Sequence, residues 1–160
     1  MTPQELALAL LTAVFSDYDP DAARAVLAPD YIQHNPAIPS GAEGLLNLIP
    51  VLQENGVGIT TLRVIVDGDY VVTHNTFENA DLFGAPQLAS FDVFRVEDGL
   101  LAEHWDYLQP VPAATASGRS MFDGPTEVVD LDLTEANRAV VQAFLQDVFL
   151  DGNVQHAGNY

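Results

Sequence analysis

The stretch from Ser90 to Gln109 constrains this chain more than any other. It reads as two strands of alternating character joined at Glu97-Asp98-Gly99. Asp-Gly between such runs is a strong hairpin signal. The turn also decides which residues share a face. A three-residue loop, with Glu97 and Asp98 in a type I turn and Gly99 as the bulge, pairs Val96 with Leu100 and sets Asp92 opposite His104. Ser90, Asp92, Phe94, His104 and Asp106 then share one face, and Phe91, Val93, Arg95, Glu103 and Trp105 the other. A two-residue loop would place Asp92 with Trp105 instead. Two carboxylates and an imidazole on one face of a sheet are costly to bury without a purpose. That face is the candidate for chemistry, and Arg95 with Glu103 is expected to form a cross-strand pair on the opposite one.

The rest of the chain supplies what covers that face. Thr2-Pro3-Gln4-Glu5 is a capping box opening a helix to about Ser16, with a broad apolar stripe through Leu6, Leu10 and Val14. Asp19-Pro20 opens a second helix to about Leu27, which Pro29 is expected to end. Tyr31 to Pro36 is a short extended segment. Ser40 to Glu43 is a second capping box, and Pro50 interrupts the helix that follows. Strands are predicted from about Ile59 to Val66, from Tyr70 to about Glu78, from Gln87 to Val96 and from Leu100 to Gln109. Helices followed by a strand meander make an α+β plan, with the helices on one face of a curled antiparallel sheet and a conical pocket between the layers.

Composition sets the outer limits. With 160 residues, one domain with a real core is expected. The formal net charge is −18 and all five basic residues are Arg, so nucleic acid and anionic membranes are poor partners. There is no Cys, hence no disulfide and no thiolate chemistry. No apolar run approaches the ~20 residues of a membrane span, and the opening residues lack a signal-peptide pattern, so a cytoplasmic location is expected. The spacing of His and Asp matches no metal motif, and there is no glycine-rich phosphate loop, so the reading is a site without metal or cofactor.

Tyr31-Ile-Gln-His-Asn-Pro36, Val71-Val-Thr-His74, Phe91-Asp-Val-Phe-Arg-Val-Glu-Asp-Gly99 and Glu103-His-Trp-Asp106 together resemble the SnoaL-like polyketide-cyclase family. That family is a branch of the nuclear-transport-factor-two-like superfamily, which also contains ketosteroid isomerases and limonene epoxide hydrolases. The resemblance covers about residues 4 to 112. It implies a cone-shaped α+β barrel, a homodimer, and a pocket that uses acid–base residues on a small apolar carbonyl-bearing molecule. The domain is placed at residues 1–112, with a linker at 113–133. A helix at 134–160, capped by Thr134, is similar to the start of a second repeat.

The candidate catalytic residues are Asp92, His104 and Asp106. Either Asp is a candidate base, and His104 a proton shuttle, for ring closure or isomerisation next to a carbonyl. His34, His74, Tyr31 and Phe94 are candidate ligand contacts, with His34 or His74 polarising the substrate oxygen. The alternatives are ligand binding without turnover, and epoxide hydrolysis by an Asp-activated water.

Overall fold

The computed structural model describes residues 1–160, which divide into two compact units, Met1–Gly124 and Pro125–Tyr160. In the first unit the elements run α1 (Pro3–Phe15), α2 (Pro20–Val26), β1 (Leu27–Gln33), α3 (Ala42–Leu46), α4 (Ile49–Asn55), β2 (Gly58–Asp67), β3 (Tyr70–Glu78), β4 (Gln87–Glu97) and β5 (Leu100–Pro110). The capping box forms at Thr2 and Glu5, and α1 buries Leu6, Ala7, Leu10, Leu11, Ala13 and Val14. Pro50 falls in the first turn of α4, so the predicted interruption separates α3 from α4.

The second capping box does not form. Gly41, not Ser40, precedes α3, and no side chain caps it. The Ser40 hydroxyl instead accepts from the backbone N–H of Gln33, 3.2 Å away, and ties the loop to the end of β1. Pro29 lies inside β1, an edge strand where a missing N–H costs little.

The five strands form one sheet in the order β1-β5-β4-β3-β2. β2 through β5 are an antiparallel meander, and β1 joins β5 in parallel. The sheet is open, with β1 and β2 as its edges, and not a closed barrel. Its inner face carries Val71, Phe77, Leu88, Phe94 and Leu101, which pack with the α1 stripe, Tyr31, Ile49 and Leu52 in a single core. That burial is the main force holding helices to sheet, at roughly 1.5–3 kcal/mol for each large side chain removed from water.

The β4–β5 turn differs from the predicted one. Glu97 pairs with Leu100, so the loop has two residues, and Asp98 (φ 51°) and Gly99 (φ 78°) are both left-handed. This twist suits a tight hairpin better than the expected type I turn with a bulge. On its own it would have put Asp92 opposite Trp105. The pairing slips again between Arg95 and Val96, where Val96 faces Leu101 and Arg95 faces Glu103. Ala102 is the extra residue of a β-bulge. The slip restores the face: Asp92 pairs with Asp106 and Phe94 with His104, all on the inner side. The expected Asp92–His104 pairing is therefore corrected by two residues, while the grouping of the inner face stands. Arg95 Nε meets Glu103 Oε2 at 2.8 Å on the outer side, as expected.

Residues 111–124 belong to the first unit. The carbonyls of Asp123 and Gly124 accept from Arg63 Nη2 on β2, at 2.8 and 3.0 Å. In the second unit α5 (Thr134–Phe144) continues into a wider π-type turn at Leu145–Leu150. Thr134 does not cap it; its hydroxyl donates to the carbonyl of Leu131. Asp147 gathers Asn153, His156 and Tyr160 around one carboxylate, and their hydrogen bonds hold its pKa below the ordinary range. None of the helices is long and apolar enough to cross a membrane.

Candidate functional site

The site is built by strand alternation. On β4 the inner positions are Leu88, Ser90, Asp92 and Phe94; on β5 they are His104, Asp106 and Leu108; on β3 they are Val71, Thr73, Asn75 and Phe77. Between this face and the helices lies a small cavity of about 50 Å³, open to solvent at one end. Leu10, Leu11, Val14 and Phe15 of α1 form its apolar roof, and Leu45, Leu48, Phe77 and Phe83 complete the greasy wall. The polar groups are concentrated on one side: Gln33, Asn35, Asp92, His104 and Asp106.

Asp92 is anchored from behind. Its Oδ2 accepts from the Ser90 hydroxyl at 2.6 Å and from Asn75 Nδ2 at 2.8 Å. Its Oδ1 lies 3.1 Å from His104 Nε2. The other ring nitrogen of His104, Nδ1, is 2.8 Å from Gln33 Oε1, and the ring stacks on Phe94 at 4.6 Å. The Tyr31 hydroxyl donates to the same Gln33 oxygen at 2.7 Å. A phenol proton needs an acceptor, and this contact fixes Gln33 with its oxygen toward Tyr31 and His104. Nδ1 must therefore carry a proton. A second proton must lie between Nε2 and Asp92, since a bare nitrogen and a carboxylate repel. The Asp92–His104 pair thus carries no net charge.

Asp106 is different. Its two oxygens are held at 2.9 and 2.7 Å by the single amide nitrogen of Asn35. Burial raises its pKa above the ordinary carboxylate value, the Asn35 hydrogen bonds and His104 oppose the shift, and Asp92 adds to it. A carboxylate of raised pKa on an apolar cavity wall has the character of a general base. Asn35 also makes the Asn-Pro turn, accepting from Ala37 N at 2.8 Å, so one side chain shapes the loop and orients the carboxylate.

Asp92, His104 and Asp106 offer ligand atoms within 4.8 Å of one another, a composition that metals use. Those atoms are already committed: both ring nitrogens of His104, both oxygens of Asp92 and, through Asn35, both of Asp106. A cation there could use free lone pairs of the carboxylates, but to bind His104 it would have to displace the ring's bond to Gln33 or to Asp92.

Of the residues singled out in the sequence, the fold brings Asp92, His104, Asp106 and Phe94 together on the cavity wall. Tyr31 is buried behind Gln33 and reaches the site only through that amide. His34 and His74 are elsewhere. His34 stacks on Trp105 at 4.8 Å and bonds Glu103 at 2.7 Å on the outer face. His74 stacks on Phe91 at 4.6 Å, also on the outer face, and its Nδ1 accepts from Arg63 Nη1 at 3.0 Å. Neither imidazole can polarise a ligand oxygen in this cavity. Gln33 and Asn35 take the places near the acids instead. Their signal lay in the parallel pairing of β1 with β5, which sets Gln33 beside His104 and leads Asn35 to Asp106.

The sequence profile of the SnoaL-like domain matches residues 8–104, from α1 through the first half of β5. The chain belongs to the SnoaL-like domain family. Solved structures of the same fold agree. TsrD of Streptomyces laurentii is 29% identical over 66% of this chain and 86% of its own, with a TM-score of 0.55. IdmH, a putative polyketide cyclase of Streptomyces antibioticus, is 23% identical over 68% and 92%, with a TM-score of 0.54. An epoxide hydrolase of the LEH-like type from M. tuberculosis is 23% identical over 67% and 82%, with a TM-score of 0.54. No curated protein matches the sequence. This SnoaL-like chain thus shares its fold with proteins of differing chemistry, and the fold does not select among them.

Proposed function

We propose that this SnoaL-like protein is a cofactor-independent acid–base enzyme acting on a small, largely apolar, carbonyl-bearing molecule. Asp106 removes a proton from the carbon next to the carbonyl, and the resulting enolate closes a ring or is reprotonated elsewhere. The observation that carries this reading is the contrast between the two carboxyl groups. Asp92 is spent on Ser90, Asn75 and His104, whereas Asp106 faces the cavity with its pKa raised by burial and one amide to orient it. His104, with both nitrogens engaged, serves as a neutralising strut for Asp92 and not as a shuttle. The test needs no knowledge of the natural substrate. In D₂O, 1-indanone and 2-tetralone should exchange the hydrogens next to their carbonyls faster with protein than with buffer. Asp106→Asn should lower that rate about 10²–10⁴-fold, the usual weight of a general base. Equal rates in the two proteins would reject the reading.

Ligand binding without turnover is the second reading, favoured by the saturation of the His104–Asp92 network. Binding of the same ketones without exchange would select it. A second copy of the chain is the proposed protein partner, seated on the outer sheet face where Phe91 and Tyr107 are 49% and 71% exposed. Sedimentation of a Phe91→Asp, Tyr107→Asp variant against the parent, with no change in mass, would contradict that arrangement.

A further inference from the structure

One atom of the site is left over. Gln33 is 5% exposed and lines the cavity, yet its Nε2 has no acceptor anywhere in the protein, alone among the buried side-chain polar atoms. An unmet buried donor destabilises a fold. The oxygen of the same amide is doubly used, by Tyr31 and His104. Turning the amide over would not relieve the problem. It would leave the Tyr31 hydroxyl without an acceptor and the Gln33 oxygen without a donor.

We infer that Gln33 is a specificity-determining residue, whose amide N–H donates to the carbonyl or enolate oxygen of the ligand, and that Tyr31 is a positioning residue that keeps the amide turned that way. The amide is locked as a donor, so the ligand atom placed against it must be an acceptor. A ketone oxygen meets that demand. A hydroxyl meets it only by giving its own proton to another acceptor, and the group placed to take it on this side of the cavity is the Asp106 carboxylate. The donor is closed to any water-sized group as the side chains now stand, so a ligand oxygen reaches it only when the amide turns toward the cavity on binding. Gln33 also sits beside the acids through the β1–β5 pairing, which puts the acceptor oxygen and the Asp106 carboxylate on the same polar side of the cavity. The backbone supports this placement, because Ser40 holds the Gln33 N–H and His34 N donates to the carbonyl of His104 at 2.9 Å.

The inference rests on the cavity being the ligand site proposed above, but not on any proton leaving the ligand. The test is therefore made on the full chain and again in the Asp106→Asn background. Side-chain amide resonances of ¹⁵N-labelled protein are followed during titration with 1-indanone, 1-indanol and indane, the Gln33 pair being the one missing from Gln33→Met. The expected result is a downfield shift of a Gln33 amide proton with the ketone and none with indane. The ketone should bind about fivefold tighter than the hydrocarbon, and Gln33→Met should abolish that margin. Tyr31→Phe should narrow the preference for ketone over alcohol. Gln33 resonances that ignore a bound ketone, a ketone margin that survives Gln33→Met, or no ketone binding at all would overturn the inference. An unchanged alcohol margin in Tyr31→Phe would overturn the part given to Tyr31. Ketone binding with the Gln33 signature but without hydrogen exchange would remove only the catalytic reading.

Discussion

Asn35 grips Asp106 through one nitrogen, with Nδ2 at 2.9 Å from Oδ1 and 2.7 Å from Oδ2. These bonds are the largest influence lowering the Asp106 pKa, set against a burial that raises it. Removing them has a definite sign. Asn35→Leu should push the Asp106 pKa higher still, move the acid limb of the exchange rate to higher pH, and cost about tenfold in rate through lost orientation. A pH–rate profile of the variant checks this, and an acid limb unmoved or shifted downward would count against the geometry.

The same raised pKa makes a stability prediction. A carboxyl group whose pKa is higher folded than unfolded favours folding while protonated. That stability is fully present below the unfolded value near 3.8 and is lost as pH rises through the folded one. Ionised Asp106 is therefore a burden on the fold at neutral pH. Asp106→Asn should be more stable than the parent by about 0.5–2 kcal/mol at pH 7, as is common when a functional charge is removed. The gain should vanish below pH 4. Urea denaturation at the two pH values measures it.

Asp92 and His104 should behave in the opposite way. Both are buried, and they meet at 3.1 Å. Truncating one leaves an uncompensated charge, at a cost of about 3–5 kcal/mol. His104→Ala and Asp92→Ala are each expected to lower the melting temperature by roughly 10 °C. The double variant should lose much less than the sum of the two. Additive losses in thermal melts would mean that the pair is not coupled.

On the outer face, Arg63 can only donate, so the Nδ1 of His74 that accepts from it is unprotonated. Burial, then the Arg63 charge, lowers the His74 pKa. With the folded value depressed, the stability it contributes is present above the ordinary value of 6.5 and is lost as pH falls. His74→Phe, which can keep the stack on Phe91, should flatten part of the loss of stability between pH 8 and pH 5. The difference between the two proteins' urea midpoints across that range is the measurement.

The hairpin allows a cleaner structural test. Ala102 is the extra residue that brings His104 and Asp106 back to the inner face after the two-residue turn. Deleting it should turn both outward or unfold β5, because a slip of one residue exchanges the faces of a strand. Circular dichroism should show loss of cooperative melting in the deletion. Gly99→Ala, by contrast, is expected to cost only about 1 kcal/mol for a side chain at φ 78°.

That hairpin also shows what the sequence disclosed. Alternation alone grouped Asp92, His104 and Asp106 correctly, because a pairing shifted by two residues leaves the parity of every position unchanged. The turn type was misread because Glu97-Asp98-Gly99 suits two geometries, and a bulge at Ala102 has no signature in a run as plain as Leu100-Leu101-Ala102. The helix signals at Thr2 and Pro50 acted locally and were legible. Ser40 and Thr134 were not, since each hydroxyl found a partner other than the helix it precedes. His34 and His74 drew attention as titratable groups, yet only the pairing of β1 with β5 and of β3 with β4 reveals that they face away from the cavity. Gln33 and Asn35 were hidden for the converse reason: amides carry no charge, and their importance comes from neighbours some 70 positions away in the chain.

The claim on which the mechanism depends is that Asp106 is the base of the cavity. It is tested most directly by following the Asp106 carboxyl carbon by ¹³C NMR and the 1-indanone exchange rate in the same samples across pH. The two curves should share one midpoint, above the ordinary carboxylate value and displaced upward again in Asn35→Leu. An exchange rate that stays flat while Asp106 titrates, or that turns at a different pH, would contradict the account.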